Sequence, residues 1–389
     1  MISNAVGTEA VGALLVTSFS DRPEAETIIG LHRLGFRLRV MSSPRAAHYE
    51  RMKEAGVSVV PLEFRGKLDT AAIRAIRREL TSDRYDILHL FNNKAAVNGL
   101  LAARGVPIRV VVYRGIVGNE SFANPFSWMR CLNPRVDRIV CVAEAVREYF
   151  LGLRLLGLRV PPEKAVTIYK GHDLAWYDQP PVARPTLGIS SHAFVACCVA
   201  NWRPRKGIEV LLDAFERLPD DVDAHLLLVG NMKNDALQKR LRAHRRAERI
   251  HLLGYRRDAA AVVAAADVAV LPSLRREGLP KTVIEAMAYG VAPIVTAVGG
   301  SPELVEDGVS GLVVPPGDAE ALANALLRLY SDREAARALG AAARQRIASR
   351  FTIGRTIAET AQLYRELAGA HRGSPIPSQL EPDERLDDG

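Results

Sequence analysis

The sequence predicts an α/β protein built from two Rossmann-like domains that face a cleft. Short apolar runs rich in β-branched residues alternate with longer amphipathic runs, a pattern typical of parallel sheets wound with helices. A stretch rich in proline and turn residues separates two such series. The length of 389 residues also exceeds what one hydrophobic core usually supports, which favours two domains.

The first series of predicted strands lies within residues 1–174, the predicted N-terminal domain. Its members are ALLVTS, RLRVMS, VSVVPL, YDILHLF, IRVVVY, RIVCVA and KAVTIY. The second series begins near residue 194 and defines a predicted C-terminal domain over 194–352. Its members are FVACCVA, AHLLLVG, RIHLLG, VAVLPS, APIVTA and GLVVP. Residues 175–193 between them are predicted to be a linker.

The two ends of the chain differ from this pattern. Residues 353–371 have helical periodicity and are predicted to form a C-terminal helix. Residues 372–389 are Pro-rich and charged, with few apolar side chains, which predicts a disordered tail. No signal peptide and no apolar run of about 18 residues is found, so we expect a cytoplasmic protein.

The charge balance restricts the partners. The net charge of +8 favours anionic partners, which include nucleic acid, a nucleotide-sugar diphosphate and the acidic inner face of a membrane. Nucleic acid is the least favoured and is not predicted, because no zinc-finger, RNP or basic-zipper signature is present. A solvated basic surface without a specific partner is the alternative.

Neither a metal nor a cofactor is predicted. The four cysteines lack metal-ligand spacing and are interpreted as buried core residues. The acidic pair Asp221 and Asp223 precedes a strand, at the wrong end for a metal site. His89 lies within an apolar strand and is interpreted as a hydrogen-bonded core histidine. Residues 149–164 mix leucine with arginine, which favours a core-facing helix over a segment on a membrane surface.

Loops that follow strands of the second domain carry the candidate chemistry, since ligands of doubly wound sheets bind beyond the carboxyl ends of the strands. These loops comprise residues 201–207, 274–280 and 298–303. Lys206 supplies a point charge suited to a diphosphate, and Arg203 adds a planar fork. A helix after Pro280 would direct free amides at the same place. Together they predict a diphosphate site.

Two carboxylates accompany this site. Glu277 and Glu285 are eight positions apart, so they do not share a helical face at the usual spacing of four. We therefore expect them to contact different parts of one ligand. Carboxylates accept hydrogen bonds from vicinal hydroxyls, so one could hold a ribose and the other a sugar.

Residues 275–318 resemble the signature segment of the family 4 retaining glycosyltransferases, which have the GT-B fold. The resemblance covers the second half of the chain, including NWRPRKGIEVLLDAF, and continues more loosely through the first half. It implies transfer of a hexose from a nucleotide-sugar donor to a glycan or glycolipid acceptor, in lipopolysaccharide or other cell-surface polysaccharide synthesis. It also implies a C-terminal helix that returns to the first domain, and allows association with the cytoplasmic face of a membrane.

The resemblance implies a role for each site residue. Glu277 would contact the donor sugar and Lys206 the diphosphate, both as catalytic residues, while Glu285 would hold the ribose. The amides of residues 278–281 would support the leaving phosphate. The full set of implied donor contacts besides the catalytic pair is Glu285, Arg203, Asn201, Gly278, Leu279, Pro280, Lys281 and Tyr255.

The first domain departs from the family pattern. No histidine follows its fifth strand, where the chain instead has Arg114 and, five positions later, Asn119. His172 stands where relatives usually show an Asn-Gly-x-Asp turn. These three residues are candidates for the acceptor side. The departures keep open an alternative, a catalytically lapsed regulatory or scaffold subunit that binds nucleotide sugars. A nicotinamide-dependent dehydrogenase is disfavoured because no G-x-G-x-x-G motif is present.

Overall fold

A computed structural model describes residues 10–372 of the protein. Apart from Arg372, which ends the last helix, the predicted tail lies outside the described residues. The first domain contains β1 (Gly12–Val16), α1 (Arg22–Arg33), β2 (Arg37–Ser42), α2 (Tyr49–Glu54), β3 (Ser58–Pro61), α3 (Thr70–Ser82), β4 (Ile87–Leu90), α4 (Asn93–Ala102), β5 (Arg109–Arg114), α5 (Pro125–Trp128), β6 (Arg138–Cys141), α6 (Glu144–Gly152), β7 (Arg154–Leu155), β8 (Leu158–Arg159) and β9 (Ala165–Thr167).

The second domain contains β10 (Phe194–Val199), α7 (Ile208–Glu216), β11 (Ala224–Val229), α8 (Asp235–Ala243), β12 (Ile250–Gly254), α9 (Ala259–Ala264), β13 (Val268–Leu271), α10 (Lys281–Ala288), β14 (Ala292–Thr296), α11 (Ser301–Leu304), β15 (Leu312–Val314), α12 (Ala319–Ser331) and α13 (Arg333–Arg350). A last helix, α14 (Ile353–Arg372), follows. Within the described residues, no helix is both long and apolar enough to cross a bilayer.

Two parallel sheets form the centres of the domains, which confirms the predicted fold class. The first has seven strands in the order β3-β2-β1-β4-β5-β6-β9, and the second has six in the order β12-β11-β10-β13-β14-β15. Every apolar run predicted as a strand contains one. Helices cover both faces of each sheet, so the strands are apolar almost throughout. Cys197 and Cys198, adjacent on β10, accordingly point into different apolar clusters.

The C-terminal helix α14 packs on the first domain, as predicted. Tyr364 is fully buried in the same apolar cluster as Ile28 of α1 and Phe36. The crossover that precedes α14 is fastened by backbone hydrogen bonds. His172 donates to Phe351 O at 2.7 Å, and Ile353 donates to His172 O at 3.0 Å. The chain therefore passes between the domains at two adjacent points.

Several smaller predictions can be compared with the structure. All four cysteines are buried and free, and His89 is buried with its Nδ1 2.7 Å from the Tyr364 hydroxyl, which confirms both as core residues. Part of the predicted linker packs on the second domain, where Val182 N donates to Ala261 O at 3.1 Å and Ile189 is buried.

The prediction of one core-facing helix over residues 149–164 is wrong. Helix α6 ends at Gly152, and strands β7 and β8 then form an antiparallel hairpin. Leu156 and Gly157 form its turn, with φ angles of 48° and 81°. Two successive left-handed residues are incompatible with a helix and are the usual geometry of a tight hairpin turn.

Candidate active site

The loops of the second domain meet beyond the carboxyl ends of β10 and β13. Lys206 ends a short 3-10 turn after β10, and Gly207 follows with a φ of 66°. A Cβ at Gly207 would lie 2.0 Å from the carbonyl oxygen of Pro272, so only glycine lets these two loops come so close. This contact places Lys206 beside the loop that follows β13.

Glu277 is the centre of a compact polar cluster and is 5% exposed. Its Oε1 lies 2.7 Å from Lys206 Nζ and 2.6 Å from Ser273 Oγ, and Arg205 approaches the same oxygen at 3.5 Å. No described residue donates a hydrogen bond to Oε2. One carboxylate oxygen is therefore fixed by the protein, while the other remains able to accept from a ligand hydroxyl.

Ser273 and Arg205 were not among the residues predicted from the sequence. Arg205 NH1 also donates to Arg276 O at 3.2 Å, so it bridges the two loops. Both residues lie in or next to loops that follow strands, which is the signal that could have identified them. Their type alone does not distinguish them from surface residues, because serine and arginine are mostly exposed.

Helix α10 begins at the cluster, with Pro280 as its N-cap residue, one position before the predicted first turn. The helix ends before Gly290, which has a φ of 75°, the left-handed geometry usual after the end of a helix. On α10, Lys281 Nζ lies 3.1 Å from Glu285 Oε1, four positions along. Glu285 therefore lies on the same face of α10 as Lys281.

The loop before α10 touches the first domain. A Cβ at Gly278 would lie 2.1 Å from Gly115 O, and Leu279 packs against apolar clusters of both domains. Gly300 N donates to Gly278 O at 2.9 Å. The space beside Gly300 is occupied by Gly278 and Ala143, so this glycine allows the two loops and α6 of the first domain to pack closely.

The remaining predicted donor contacts lie on the other side of Lys206. Asn201 Oδ1 accepts from Asn231 N at 2.9 Å, which joins the loops after β10 and β11. Tyr255 is 78% exposed and lines a cavity of about 860 Å³ together with Asn231 and Leu252. Arg203 is exposed. The predicted donor residues thus extend along one edge of the second sheet.

Arg114 is buried in the first domain and bonded within the protein. Its NH1 lies 3.1 Å from Glu120 Oε1, and Arg130 approaches the same carboxylate at 3.3 Å. Arg114 Nε also donates to Ile116 O at 3.2 Å. Its guanidinium therefore holds the loop over residues 115–120, and its assignment to the acceptor side stays a prediction.

His172 lies at the crossover between the domains and is 2% exposed. Its Nδ1 is 2.5 Å from the Tyr177 hydroxyl, and its buried Nε2 has no partner among the described residues. Burial lowers the pKa of His172 to about 3, so the ring is neutral in the folded protein. The assignment of His172 to the acceptor side stays a prediction.

Ion pairs hold the loop after β1 in place. Lys170 Nζ lies 2.9 Å from Asp21 Oδ2 and 3.0 Å from Glu24 Oε1. Burial raises the pKa of the Asp21 carboxyl, but Lys170 outweighs this effect and holds that pKa below its usual value. Burial raises the pKa of Glu24. This triad fixes the start of α1 against the crossover.

Asn119 lines a cavity of about 730 Å³ on the cleft side of the first domain. Lys67 and Lys94 line the same cavity, and neither forms an ion pair with a described residue. Lys94 Nζ donates to Phe64 O at 3.4 Å, and Lys67 Nζ lies 5.9 Å from the centre of the Phe126 ring. Val97 and Met129 join it to a second cavity of about 390 Å³ along α4. We call the two together the α4 groove. Neither lysine was among the residues predicted from the sequence.

Large apolar side chains also border the α4 groove. Phe126 and Leu68 are exposed at its cleft end, and Leu101 is exposed along α4. The groove therefore combines unpaired cations with apolar walls. Among residues 10–372, no group of three or more His, Cys, Asp or Glu side chains is placed to hold a metal ion.

Comparisons with known proteins agree on one family. The family described as Glycosyl transferases group 1 matches residues 193–332, and that described as Glycosyltransferase Family 4 matches residues 25–176. A UDP-Gal:alpha-D-GlcNAc-diphosphoundecaprenol alpha-1,3-galactosyltransferase of Escherichia coli is 26% identical over 312 residues, which cover 76% of this chain and 79% of the relative. A phosphatidyl-myo-inositol mannosyltransferase of Mycolicibacterium smegmatis is 24% identical over 327 residues, 81% of each chain.

Solved structures match nearly the whole fold. A glycosyltransferase from Rickettsia africae superposes with a TM-score of 0.77 at 18% identity, over 92% of this chain and 99% of the other. An Anabaena protein crystallised with UDP superposes with a TM-score of 0.74 at 22% identity, over 92% and 100% of the two chains. At these identities the match shows a common fold.

Proposed function

Since this chain belongs to family 4 of the glycosyltransferases, we propose that it is a retaining enzyme that transfers a hexose from a nucleotide sugar to a glycan or lipid-linked acceptor. The acceptor would belong to lipopolysaccharide or other cell-surface polysaccharide synthesis, at the cytoplasmic face of a membrane. The observation that carries the proposal is the Glu277 cluster, in which Lys206 and Ser273 fix one carboxylate oxygen beside the start of α10.

The donor would lie along the edge of the second sheet. Lys206 and the free amides at the start of α10 offer positive charge to the diphosphate. Glu277 Oε2 would accept from a sugar hydroxyl, and Glu285 from the ribose. The base would occupy the cavity beside Tyr255 and Asn231, with Asn201 holding that loop and Arg203 available to the phosphates.

The reaction would proceed on one face of the donor sugar. The acceptor oxygen forms a bond to the anomeric carbon as the bond from that carbon to the phosphate oxygen breaks, and the acceptor proton passes to the leaving phosphate. Charge that develops on this phosphate would be stabilised by Lys206 and by the backbone N–H groups of Gly278, Leu279 and Lys281, since Pro280 has none. Because the acceptor attacks from the face of the sugar that the phosphate leaves, the anomeric configuration is retained.

The acceptor would bind in the first domain at the α4 groove. Asn119 and the unpaired Lys67 and Lys94 suit a phosphate, and the apolar walls suit a lipid chain. The Escherichia coli and Mycolicibacterium smegmatis relatives are named for acceptors linked to lipid through phosphate. Arg114 would position the loop that carries Asn119. The alternative of a lapsed scaffold subunit is not favoured, because relatives along most of the chain are named as transferases.

A panel of UDP-, GDP- and ADP-sugars tests the proposal. At about one hundred times its dissociation constant, a bound donor should stabilise the protein by about 2.7 kcal/mol, which a thermal shift detects. The same donor should be hydrolysed slowly or transferred, and this activity should be lost in Glu277→Ala and Lys206→Ala. Well-folded protein that binds no nucleotide sugar would contradict the proposal.

A further inference from the structure

The hairpin formed by β7 and β8 exposes leucines to solvent. Leu156, at its tip, is 96% exposed, more than any other large apolar residue in the described part of the chain. Leu158 is 43% exposed and pairs with Leu155 across the hairpin. Residues 153–160 carry this exposed apolar tip, and we call them the Leu-Arg hairpin.

Two arginines flank these leucines. Arg154 and Arg159 are directly opposite each other on the two strands, and both are exposed. Like charges at this position destabilise a hairpin. Arg154 donates to the carbonyl oxygen of Leu153, but neither arginine forms an ion pair with a described residue. No acidic residue occurs in the Leu-Arg hairpin. Its charge is therefore available to an anionic partner.

The turn is also unfavourable for the residue that occupies it. Leu156 has a φ of 48°, and a turn with two left-handed residues strongly favours Asn-Gly over Leu-Gly. The exposed leucine, the left-handed backbone and the paired arginines all oppose the stability of the isolated hairpin. A surface that accepts leucine and arginine together offsets two of these features, the exposure of Leu156 and the repulsion between Arg154 and Arg159.

The position of the hairpin connects it to the α4 groove. Helices α4 and α6 contribute to the same apolar cluster, on one face of the first sheet. Both helices start at the cleft edge and end at the opposite edge, where the Leu-Arg hairpin follows α6. Lys164, beyond the hairpin, donates to Asn133 O at 3.0 Å, and Asn133 lines the outer part of the groove.

We propose that the Leu-Arg hairpin docks the protein on an anionic lipid bilayer. Leu156 and Leu158 enter the boundary between headgroups and acyl chains, while Arg154 and Arg159 contact lipid phosphates. The outer end of the α4 groove then opens toward the same bilayer. The inference rests on the proposed function in one respect, the lipid-linked acceptor, which such docking would deliver to the groove.

Vesicle sedimentation with the full chain tests the inference. Wild-type protein should sediment with vesicles of phosphatidylcholine and phosphatidylglycerol in equal parts, and not with phosphatidylcholine alone. Leu156→Asn should weaken this binding about tenfold, because it removes the apolar tip. The same change creates an Asn-Gly turn, so the thermal stability should stay the same or rise.

A second variant acts on the charge. Arg159→Glu places opposite charges across the hairpin, which should stabilise it locally, yet it should also weaken binding to anionic vesicles about tenfold or more. Matched controls in the second domain are Val309→Asn, another exposed apolar residue, and Arg337→Glu, another exposed arginine. Both controls should sediment like the wild type.

The outcomes separate the two proposals. The docking inference is overturned if the wild-type protein does not sediment with anionic vesicles. It is also overturned if the hairpin variants sediment with them as the wild type does. So does a hairpin that binds a soluble acidic protein and no vesicle. Donor binding, measured by thermal shift on the same preparations, should be unchanged in every variant. A lack of donor binding contradicts the proposed function, whatever the vesicles show.

Discussion

Glu303 of the second domain caps a helix of the first, with its Oε2 2.7 Å from the amide nitrogen of Glu144. Its Oε1 lies 2.7 Å from the amide nitrogen of Ala145, and Tyr169 donates to Oε2 at 2.8 Å. Amides in the first turn of a helix have no partner within the helix and carry positive charge. A carboxylate of one domain thus satisfies both amides of the other and holds the cleft closed.

Replacement of Glu303 by alanine should loosen this closure. Three hydrogen bonds to a charged group are lost, so we expect the interface to weaken by about 3 kcal/mol or more. Small-angle scattering should show a larger radius of gyration, and kcat should fall more than the donor affinity. Glu306→Ala is the control, because Glu306 forms a partly exposed ion pair with Arg346. Unchanged scattering for Glu303→Ala would contradict the role.

Gly278 should be intolerant of even one added carbon. In Gly278→Ala the new Cβ would meet the carbonyl oxygen of Gly115 at 2.1 Å, so the loops of the two domains must separate. We expect transfer to fall at least tenfold while the protein still binds a nucleotide sugar. Gly369→Ala, on α14 with open space around it, should keep full activity. Equal activity of the two variants would show that this contact is dispensable.

Lys206→Met should abolish most donor turnover. The variant keeps the length of the side chain but removes the charge proposed to face the diphosphate, so we expect a loss of about 100-fold or more in kcat. Lys206→Arg should not restore full activity, since a planar fork does not replace a point charge at this site. Lys239→Met, on the exposed face of α8, is the matched control. Normal turnover by Lys206→Met would exclude Lys206 from the reaction.

The α4 groove can be tested through the acceptor. Lys67→Gln and Lys94→Gln should raise the acceptor KM several-fold in transfer of labelled sugar to a membrane lipid extract, because each removes one unpaired cation. Slow donor hydrolysis in the absence of acceptor should not change. An effect on donor hydrolysis equal to that on transfer would instead place these lysines in the donor site.

The fold and the donor loops could be predicted because their signals are local. Parallel strands buried on both faces are apolar throughout, and their carboxyl ends meet at one edge, so residues that follow them converge. Lys206 and Glu277 are 71 positions apart and still meet in this way. The rule that residues after parallel strands converge also identified the loop that begins at Arg114. It did not identify Glu120 as the ion-pair partner of Arg114.

Hydrogen-bond and ion-pair partners that depend on tertiary packing could not be predicted from the sequence. Glu120 neutralises Arg114 from within the same loop, and Glu303 reaches across the cleft to α6 rather than toward a ligand. His172 is buried only because the chain crosses between the domains beside it. The Leu-Arg hairpin depends on a left-handed leucine, which no propensity favours.

The buried histidines predict how stability depends on pH. Burial lowers the pKa of both His89 and His172 to about 3, whereas a histidine in the unfolded chain has a pKa of about 6.5. Below about pH 6.5 these two histidines therefore bind protons in the unfolded chain but stay neutral in the folded chain. The stability linked to each neutral ring is full above that pH and is lost as the pH falls toward about 3.

Each ring should contribute a slope of about 1.4 kcal/mol per pH unit in the free energy of unfolding within this window. Denaturant unfolding at about pH 7 and about pH 5 measures it. The free energy of unfolding should decrease less between about pH 7 and about pH 5 in His172→Asn than in the wild type. The difference should equal roughly the contribution of one histidine, because asparagine is not protonated in this range. His192→Asn, at an exposed site, should leave the loss unchanged. Equal losses in His172→Asn and the wild type would mean that His172 is protonated in the folded protein, which its burial against Tyr177 and Trp176 opposes.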